Sequence, residues 1–394
     1  MAKNTCKGFK AAGIASGLKK NGEKDLGLIY SEVRAKVAGV FTRNKVKAAP
    51  LLLNIDRIKS DIGQAIIVNS GNANCCTGDQ GIQDAKAMAR FAASELKISE
   101  DLVLVASTGV IGEPLPIEKI RDAVPKLTGL LKPEGINDFV MAIMTTDTMP
   151  KIITRQEDLD GKTFSVTGVA KGSGMICPDM ATMLCFVHTD VDMAPDFLKD
   201  SLNTATERSL NRITIDGDTS TNDMVLIMAN GLSGAVIESS ADKEKFQSVL
   251  DDVLIGLAKQ LVKDGEGATK FVEINVRGAL SDADARIIAD TIANSPLVKT
   301  AIFGEDANWG RVMMAVGRAG VPVDPDKVDV FFDDVLMVKN GMGCGKDTET
   351  EMTKVLKKPE FEISIDLNMG HGHASVFTCD FSIDYVKINA DYRS

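Results

Sequence analysis

The sequence predicts a layered α/β fold whose sheets mix parallel and antiparallel strands. Strand-like apolar runs alternate with segments of amphipathic helical spacing through the first two thirds of the chain. In the last third, strands outnumber the helices that could join parallel neighbours, so some pairs must be antiparallel. No Pro-, Gly- or Ser-rich linker interrupts the 394 residues, and the sequence therefore marks no sharp domain boundary.

The predicted elements follow one another along the chain. Apolar and β-branched runs predict strands at residues 26–33, 37–42, 65–69 and 102–112. Helical spacing of apolar residues predicts helices at 84–98, 195–209, 242–262 and 283–293. Alternating patterns predict strands at 272–276 and 328–338 and three more between 360 and 389.

Composition excludes several classes of function. Lys plus Arg number 45 and Asp plus Glu 55, and the net charge of −10 argues against nucleic acid or an anionic membrane as a partner. No apolar run reaches the roughly 18 residues that a membrane-spanning helix needs. The seven cysteines lack C-x-x-C spacing, which indicates reduced thiols. We therefore expect a cytoplasmic protein.

Four short motifs imitate known binding sites. Residues 341–349 and 264–271 resemble phosphate loops but depart from the required spacing. His371 and His373 supply two imidazoles, whereas a zinc site needs three or four ligands. The loop Gly217–Asp223, GDTSTND, could bind a divalent cation through oxygens, but it lacks the EF-hand pattern, and Asx and Ser/Thr turns explain it as well. We expect neither a metal nor a cofactor.

One segment, VAKGSGMICPDMATMLCFVHTD at residues 169–190, joins a glycine loop to an apolar, strand-like run through Ala181 and Thr182. A threonine hydroxyl is a weak nucleophile and needs an adjacent proton acceptor. His188 is too far away, because six residues of strand span about 20 Å. If the Ala181–Thr182 bond is cut, the new α-amine, with a pKa of about 7.7–8.0, becomes that acceptor on the same residue. The segment therefore predicts a self-cleaving threonine nucleophile, although a threonine at a strand position is structural in most proteins.

Seven blocks, spread over essentially the whole chain, carry a family resemblance. They are NSGNANCCTG (69–78), ASTGVIG (106–112), MTTDTMPK (144–151), AKGSGMICPDMATML (170–184), DGEGATK (264–270), GEDANWGR (304–311) and INADYRS (388–394). Together they resemble the ornithine acetyltransferases, also called glutamate N-acetyltransferases, of arginine biosynthesis. Cys75 departs from the alanine of the family pattern. The resemblance implies an α/β sandwich superficially similar to N-terminal-nucleophile hydrolases but differently connected.

The resemblance also implies an activity. It implies self-cleavage between Ala181 and Thr182 into an alpha chain, residues 1–181, and a beta chain, residues 182–394. An acetyl group would then pass from N2-acetyl-L-ornithine to the Thr182 hydroxyl and on to L-glutamate, in a ping-pong cycle without ATP or metal. Two copies of each chain would form the working unit. Some family members also take acetyl-CoA, and the residues do not decide whether this chain does.

Individual residues acquire catalytic roles through the same resemblance. Thr108 and Gly109 match the family's oxyanion pair and lie where a buried strand ends. One hydroxyl and one backbone N–H are suitable donors, although a strand-end turn explains the pair as well. Glu266, between two glycines, would bind the α-amino group of the substrate or orient the amine of Thr182.

Four further residues match substrate-binding positions, in addition to Thr182 and Glu266. Lys171 follows the family pattern, and a solvated loop lysine is its alternative reading. Thr148 is chosen from the run of residues 145–148. Asn389 and Ser394 would bring the C-terminus into the site, although chain ends are usually frayed.

Two other functions stay open on the sequence. A self-processing aminopeptidase or amidohydrolase would use the same nucleophile with water as the acceptor. A non-catalytic amino-acid-binding protein would be stabilised by ornithine or glutamate and would not need Thr182. Measuring acetylornithine consumption with and without glutamate distinguishes the first alternative from an acetyltransferase. Replacing Thr182 by alanine distinguishes the second.

Overall fold

A computed structural model describes residues 6–177 and 183–390 of the chain. Ala181, Thr182 and Ser394, which the sequence places among the functional residues, lie outside the described residues. Within these ranges, none of the helices combines the length and the apolar composition that crossing a bilayer would take.

The elements alternate along the chain, and fifteen strands and eleven α-helices lie within the described residues. The strands are β1 (Phe9–Ile14), β2 (Leu26–Phe41), β3 (Ile62–Asn72), β4 (Val103–Val110), β5 (Lys151–Leu159), β6 (Lys162–Lys171), β7 (Leu184–Thr189), β8 (Ile213–Thr214), β9 (Met224–Ala229), β10 (Phe271–Ala279), β11 (Asp329–Phe332), β12 (Val335–Lys339), β13 (Met342–Gly343), β14 (Glu360–Asp366) and β15 (Gly372–Cys379). The helices are α1 (Ala49–Arg57), α2 (Gly78–Leu96), α3 (Ile117–Gly129), α4 (Ile136–Ile143), α5 (Pro195–Arg208), α6 (Ser240–Lys263), α7 (Asp282–Ala293), α8 (Pro296–Phe303), α9 (Trp309–Gly317), α10 (Lys346–Leu356) and α11 (Ile383–Ala390).

The chain forms two compact units, each assembled from separate stretches of sequence. The first unit comprises the described parts of Met1–Gly172, Pro178–Asn211 and Asp218–Leu257. The second unit comprises the described parts of Ser173–Cys177, Arg212–Gly217 and Ala258–Ser394. Each unit contains one sheet and its own hydrophobic core.

The sheet of the first unit has the strand order β4-β3-β2-β9-β7-β6-β5, and β1 pairs with β2 beside this path. The pairs β3–β4 and β7–β9 are parallel, whereas the others are antiparallel. This combination is the mixed sheet that the sequence predicts. The parallel pairs place the end of β4 beside the end of β3 and the start of β7 beside the start of β9.

Apolar residues cover this sheet on both faces. In β3, Ile66 and Val68 belong to one buried cluster, whereas Ala65 and Ile67 belong to another. Because successive side chains of a strand point to opposite faces, both faces of β3 are buried. The first cluster includes Phe139 of α4, and the second includes apolar residues of α2 and α3. The unit is therefore layered, with helical residues in the core on each side of the sheet.

The sheet of the second unit has the order β13-β12-β11-β14-β10-β15-β8. The pairs β10–β14 and β15–β8 are parallel and the remaining pairs antiparallel, so this sheet is mixed too. Val272 and Ile274 of β10 share a core with Ile288 and Ile292 of α7. The Ser281 hydroxyl caps α7 by accepting a hydrogen bond from a backbone N–H of its first turn.

Several predicted elements are confirmed within a few residues. Helices α5, α6 and α7 match the predictions at 195–209, 242–262 and 283–293. The predicted strands at 26–33 and 37–42, however, form one continuous strand, β2, with an irregular register between Tyr30 and Ala35. The polar residues in the middle of β2 therefore look like a loop between two strands when only the sequence is considered.

The prediction of three strands between residues 360 and 389 is wrong. Two strands, β14 and β15, are followed by helix α11. The Ser382 hydroxyl accepts a hydrogen bond from Tyr385 N–H at 3.3 Å, a capping contact that starts a helix. Ile383 and Val386 are more than 60% exposed, so these apolar residues do not indicate a buried strand.

The single strand predicted at 328–338 is also wrong, because the chain turns back at its middle. Asp333 has a φ of 47°, in the left-handed region, and separates β11 from β12. Aspartate tolerates this conformation better than most residues. The two strands pair with each other as an antiparallel hairpin.

Candidate active site

Thr108 and Gly109 lie at the end of β4, beside the end of β3. In the parallel register, Thr108 pairs with Ser70 and Gly109 with Gly71. Gly109 has a φ of 133°, and a Cβ at this position would overlap the backbone of Gly71. Only glycine fits there, and its strained turn opens the strand end, where the last three residues of β4 become partly exposed.

A buried amide holds this strand end in place. Asn222 Nδ2 donates hydrogen bonds to the carbonyl oxygens of Ala73, at 2.7 Å, and of Ser107, at 2.8 Å. The Ser107 carbonyl belongs to the peptide bond that precedes Thr108. Because Asn222 is only 5% exposed, solvent does not compete for these bonds. The loop before β9 thus fixes the position of the predicted oxyanion donors.

The side chain of Lys171, at the end of β6, lies against Thr108. Lys171 Nζ donates to the hydroxyl oxygens of Thr145, at 2.8 Å, and of Thr108, at 3.3 Å. An ammonium group only donates, so the Thr108 oxygen accepts. The Thr108 hydroxyl hydrogen is therefore directed away from Lys171 and can be donated to a developing oxyanion. The structure thus brings two of the predicted residues together, Thr108 and Lys171.

Asp147 organises the backbone around Lys171. Its Oδ1 atom accepts hydrogen bonds from Gly172 N–H at 2.6 Å and from Lys151 Nζ at 2.7 Å. Its Oδ2 atom accepts a hydrogen bond from Thr145 N–H at 2.9 Å. The side chains of Asp147 and Lys151 are completely buried. One carboxylate therefore positions both Thr145 and the residue that follows Lys171.

The charges around Asp147 favour its ionised form. Burial alone would raise the pKa of this carboxyl group, but Lys171, Lys151 and the Gly172 N–H lower it to about 2. The carboxylate is therefore ionised near neutral pH. The Lys171 ammonium, which contacts the Thr108 hydroxyl, carries a positive charge. Such a charge stabilises an anion that forms beside Thr108.

A second group of predicted residues lies in the second unit. Asn389 Nδ2, on α11, donates a hydrogen bond to Glu266 Oε2 at 2.8 Å. Glu266 is 7% exposed, and its backbone N–H donates to the Ser173 carbonyl at 2.7 Å. A Cβ at Gly174 would overlap the Glu266 carboxylate, so a larger residue there would push this side chain aside. Glu266 and Asn389, predicted separately from the sequence, are thus direct partners.

Asp216 connects the glycine loop to the same helix. It accepts hydrogen bonds from the backbone N–H groups of Met175, at 2.6 Å, and Ile176, at 2.8 Å. The Tyr385 hydroxyl of α11 donates to Asp216 at 3.4 Å, and the Tyr385 carbonyl accepts from Asn389 Nδ2 at 3.0 Å. These bonds fix the orientation of Asn389 within the second unit.

Thr148 has a different environment from its neighbours. Its side chain is exposed, whereas Asp147, one residue earlier, is buried. The residue of this run that contacts Lys171 is Thr145. The role of Thr148 in substrate binding stays a prediction.

His188 occupies a buried position in β7. Its ring lies 4.8 Å from that of Phe9, centroid to centroid. Burial lowers the pKa of His188 to about 3, so the imidazole is neutral at physiological pH. A neutral ring inside the core fits the expectation that His188 is not the base of Thr182.

The buried imidazole predicts a specific acid sensitivity. Below pH 6.5 the unfolded chain binds a proton at His188 that the folded chain does not bind, so stability falls as the pH is lowered toward about 3. The slope contributed by one such group is about 1.4 kcal/mol per pH unit. Urea unfolding of wild type and His188→Gln between about pH 6.5 and 4.5 should differ in slope by that amount.

The matched control is His373→Gln, because the His373 side chain is 79% exposed. This variant removes an imidazole from the surface and leaves the buried imidazole of His188 in place. Equal slopes for wild type and His188→Gln would contradict the assignment of a buried, neutral imidazole.

The structure does not arrange the candidate metal motifs, as far as they are described, as metal sites. Within residues 6–177 and 183–390, no three His, Cys, Asp or Glu side chains form a group that could hold a metal ion. His371 and His373 are exposed. In the GDTSTND loop, Asn222 and Asp223 are buried, and the Asn222 amide is bonded to the backbone of β4.

In the second unit, sequence reasoning missed Asp216 and Tyr385. In the cluster around Thr108 and Lys171 it missed four residues: Thr145, Asp147, Lys151 and Asn222. The first three stand in the block MTTDTMPK, where an aspartate four residues before a lysine was a usable signal. Asn222 stands in the loop that the sequence offered as a cation site or a set of turns. Its role depends on contacts with residues about 115 and 149 positions away, which no local pattern reports.

Comparison with known proteins gives the family. A sequence model of the ArgJ family matches residues 10–394. The chain belongs to the ArgJ family. The arginine biosynthesis bifunctional protein ArgJ of Geobacter sulfurreducens is 51% identical over 390 residues, covering 98% of this chain and 99% of the relative. The protein of the same name from Syntrophotalea carbinolica is 49% identical over 389 residues, with 98% and 99% coverage.

A solved structure of an ArgJ family member is also similar. The crystal structure of the arginine biosynthesis bifunctional protein argJ from Bacillus halodurans matches with a TM-score of 0.51 and 42% identity. The match covers 53% of this chain and 99% of that chain. The predicted family and the predicted layered α/β fold with mixed sheets are both confirmed, and the chain is an enzyme of the ArgJ family.

Proposed function

We propose that this ArgJ enzyme is a cytoplasmic glutamate N-acetyltransferase that moves the acetyl group of N2-acetyl-L-ornithine to L-glutamate. The acetyl group is carried by Thr182, which self-cleavage of the Ala181–Thr182 bond turns into an N-terminal residue. The observation that carries the proposal is the Lys171–Thr108 contact beside Gly109, a positively charged donor site for an oxyanion. Membership of the ArgJ family supports the choice of reaction.

The coverage of the comparisons supports cleavage into two chains. The curated relatives are matched over 99% of their length by nearly the whole of this sequence. The solved Bacillus halodurans chain, in contrast, is matched over 99% of its length by only 53% of this sequence. Residues 182–394 make up about 54% of the 394 residues. A relative that is cut at the equivalent position would give a chain of this size.

The chemistry needs a base, a nucleophile and an oxyanion site. The free α-amine of Thr182 takes the proton of its own hydroxyl as the oxygen attacks the acetyl carbonyl. The Thr108 hydroxyl and the Gly109 N–H donate to the resulting oxyanion, and one such donor is worth about 3–4 kcal/mol of barrier. As the intermediate collapses, the Thr182 α-amine passes the proton that it accepted to the leaving nitrogen, which releases ornithine and leaves an acetyl ester on Thr182. The amine of glutamate then attacks this ester by the reverse sequence.

The energetics of the exchange need no cofactor. An amide is converted to an ester and then to another amide, so the two ends of the cycle have similar free energies. The positive charge of Lys171, beside Thr108, stabilises the oxyanion of both half-reactions. The proposal therefore includes neither ATP nor a metal.

The remaining residues are proposed to recognise the amino-acid part of the substrates. Lys171, Thr148, Glu266 and Asn389 offer charged and hydrogen-bonding groups. Glu266 would bind the α-amino group or orient the amine of Thr182, and its bond to Asn389 at 2.8 Å supports a shared role. Ser394, outside the described residues, is proposed as a further contact. Two alpha and two beta chains would form the working unit.

Substrate analysis tests this function. Purified enzyme given acetylornithine alone should release about one equivalent of ornithine per Thr182 and then stop, because the acetyl-enzyme awaits an amine. Adding glutamate should start continuous formation of N-acetylglutamate. Ornithine release far beyond one equivalent without glutamate would instead identify the amidohydrolase alternative. Stabilisation by ornithine without any acetyl transfer would identify the binding-protein alternative.

A second acetyl donor is tested separately. The relatives are named bifunctional, which supports adding acetyl-CoA-dependent synthesis of N-acetylglutamate to the proposal. Enzyme incubated with acetyl-CoA and glutamate should release free coenzyme A thiol, and Thr182→Ala should not. The acetylornithine reaction stands independently of this result.

A further inference from the structure

The loop before β9 contains a buried carboxyl group to which the acetyl-transfer cycle assigns no role. Asp223 is 3% exposed. Its Oδ2 atom is buried and has no hydrogen-bond partner among the residues that the structure describes. A buried polar atom without a hydrogen-bond partner costs free energy. Burial of the Asp223 Oδ2 atom therefore lowers stability, which points to a role in the chemistry.

The position of Asp223 in the sheet relates it to the proposed cleavage site. Strand β9 runs parallel to β7, with Met224 opposite Leu184. Met224 N–H donates to the Met183 carbonyl at 3.2 Å, so Asp223 and Met183 lie side by side at the starts of the two strands. The Met183 nitrogen is bonded to the carbonyl carbon of Thr182. Asp223 thus lies beside the first described residue after the proposed nucleophile.

The groups around the carboxyl have opposing effects on its protonation. Burial raises the pKa of Asp223 well above its usual range, while Lys171 and hydrogen bonds from the Met183 N–H and from Ser220 act in the opposite direction. A desolvated carboxylate is a stronger base than one in water, because accepting a proton removes a buried charge. The nearby Lys171 ammonium acts against this rise in the pKa of Asp223 by favouring the carboxylate form.

Self-cleavage has a requirement that acetyl transfer does not have. Before the Ala181–Thr182 bond is cut, the nitrogen of Thr182 is part of an amide and cannot accept a proton. The base proposed for the mature enzyme therefore does not yet exist. His188 is held in the core of β7 with a pKa lowered by burial to about 3, and the Lys171 ammonium has no lone pair to accept a proton. Another acceptor is needed for the first reaction.

We propose that the carboxyl group of Asp223 is the proton acceptor of the self-cleavage step. This inference rests on the proposed function, because it assumes that the chain cuts itself before Thr182. The Thr182 hydroxyl oxygen attacks the Ala181 carbonyl carbon, and its proton passes to Asp223. The carbon–nitrogen bond then breaks, the nitrogen receives that proton back, and an ester joins Ala181 to the Thr182 oxygen. The nitrogen is then the free α-amine of Thr182, and water hydrolyses the ester to give the Ala181 carboxylate and the Thr182 hydroxyl.

Pulse-labelled chains from cell-free translation allow the cleavage rate to be measured directly. Asp223→Asn keeps the shape of the side chain but removes the base, and cleavage should slow by about 10²–10⁴-fold. Asp223→Glu keeps a carboxyl group and should recover part of that loss. Asp218→Asn, an exposed residue of the same loop, is the matched control and should cleave at the wild-type rate.

Hydroxylamine identifies the step that is affected. It cleaves esters rapidly, so it should accelerate wild-type processing if hydrolysis of the ester limits the rate. It should not restore Asp223→Asn, because that chain is expected to stop before the ester forms. Full restoration by hydroxylamine would overturn the assignment to the first step. Cleavage of a folded Asp223→Asn chain at the wild-type rate would overturn it as well.

The wild-type chain gives a second test, which needs no variant and does not depend on folding of Asp223→Asn. The rate should rise with pH above the usual carboxyl range and then level off, because only the carboxylate accepts a proton. Among the described residues, the Lys171 ammonium from β6 acts on this carboxyl group, and Asp147 interacts in turn with Lys171. A rate that is constant between about pH 4 and 8 would contradict the proposal. A wild-type chain that never cleaves would instead refute the proposed function.

Discussion

Replacing Thr182 by alanine should leave one uncut chain of 42.1 kDa without acetyltransferase activity. The variant lacks both the hydroxyl that attacks its own peptide bond and the hydroxyl that carries the acetyl group. Loss of a nucleophile that acts with its base as a unit costs on the order of 10⁴-fold or more in kcat. Denaturing electrophoresis and an acetylornithine–glutamate assay on the same preparation measure both effects.

Two variants serve as controls for this result. Thr182→Ser retains a hydroxyl and should cleave and transfer acetyl at reduced rates. Thr163→Ala, at an exposed position of β6, should behave as wild type. An active wild-type preparation that migrates as a single full-length band would rule out the mechanism. An acetyl group found by mass spectrometry on a residue other than Thr182 during turnover would also rule it out.

Much of the fold can be predicted from local sequence patterns, and the exceptions are elements that depend on contacts distant in sequence or that have no buried face. The helices α5, α6 and α7 have one apolar face each, and that periodicity is visible in a single sequence. Helix α11 is different, because its exposed apolar residues Ile383 and Val386 carry no information about burial. The continuity of β2 depends on pairing with β3 and β9, and neither partner is visible in the sequence of β2 itself.

The candidate site divides in the same way. Thr108, Gly109 and Lys171 stand in recognisable blocks, and the structure places Thr108 within hydrogen-bond distance of Lys171. The residues that hold them, Asp147 and Asn222, were not predicted. A buried aspartate and an exposed aspartate look alike in a sequence, because only tertiary contacts determine which one is buried away from solvent. Positioning residues are therefore harder to predict than the residues that bind or react.

Asp147 is the positioning residue whose loss should have the largest effect. In Asp147→Asn, the buried ammonium of Lys151 loses its counter-ion, and Gly172 and Thr145 lose a charged acceptor. Breaking a buried pair by removing one partner typically costs about 3–5 kcal/mol of unfolding free energy. The kcat for acetyl transfer should fall as well, because Thr145 and the end of β6 hold Lys171 against Thr108. Urea unfolding and steady-state kinetics measure the two effects.

A double-mutant cycle separates the ion pair from the other contacts of Asp147. Lys151→Met replaces the buried ammonium by an apolar chain, so Asp147→Asn made in that background should cost much less stability than in wild type. Asp56→Asn, which breaks the exposed pair with Lys59, should leave stability unchanged. The kcat defect should persist in the Asp147→Asn/Lys151→Met variant, because neither change restores the carboxylate that orients Gly172 and Thr145. Recovery of both stability and kcat would mean that Asp147 serves only to neutralise Lys151.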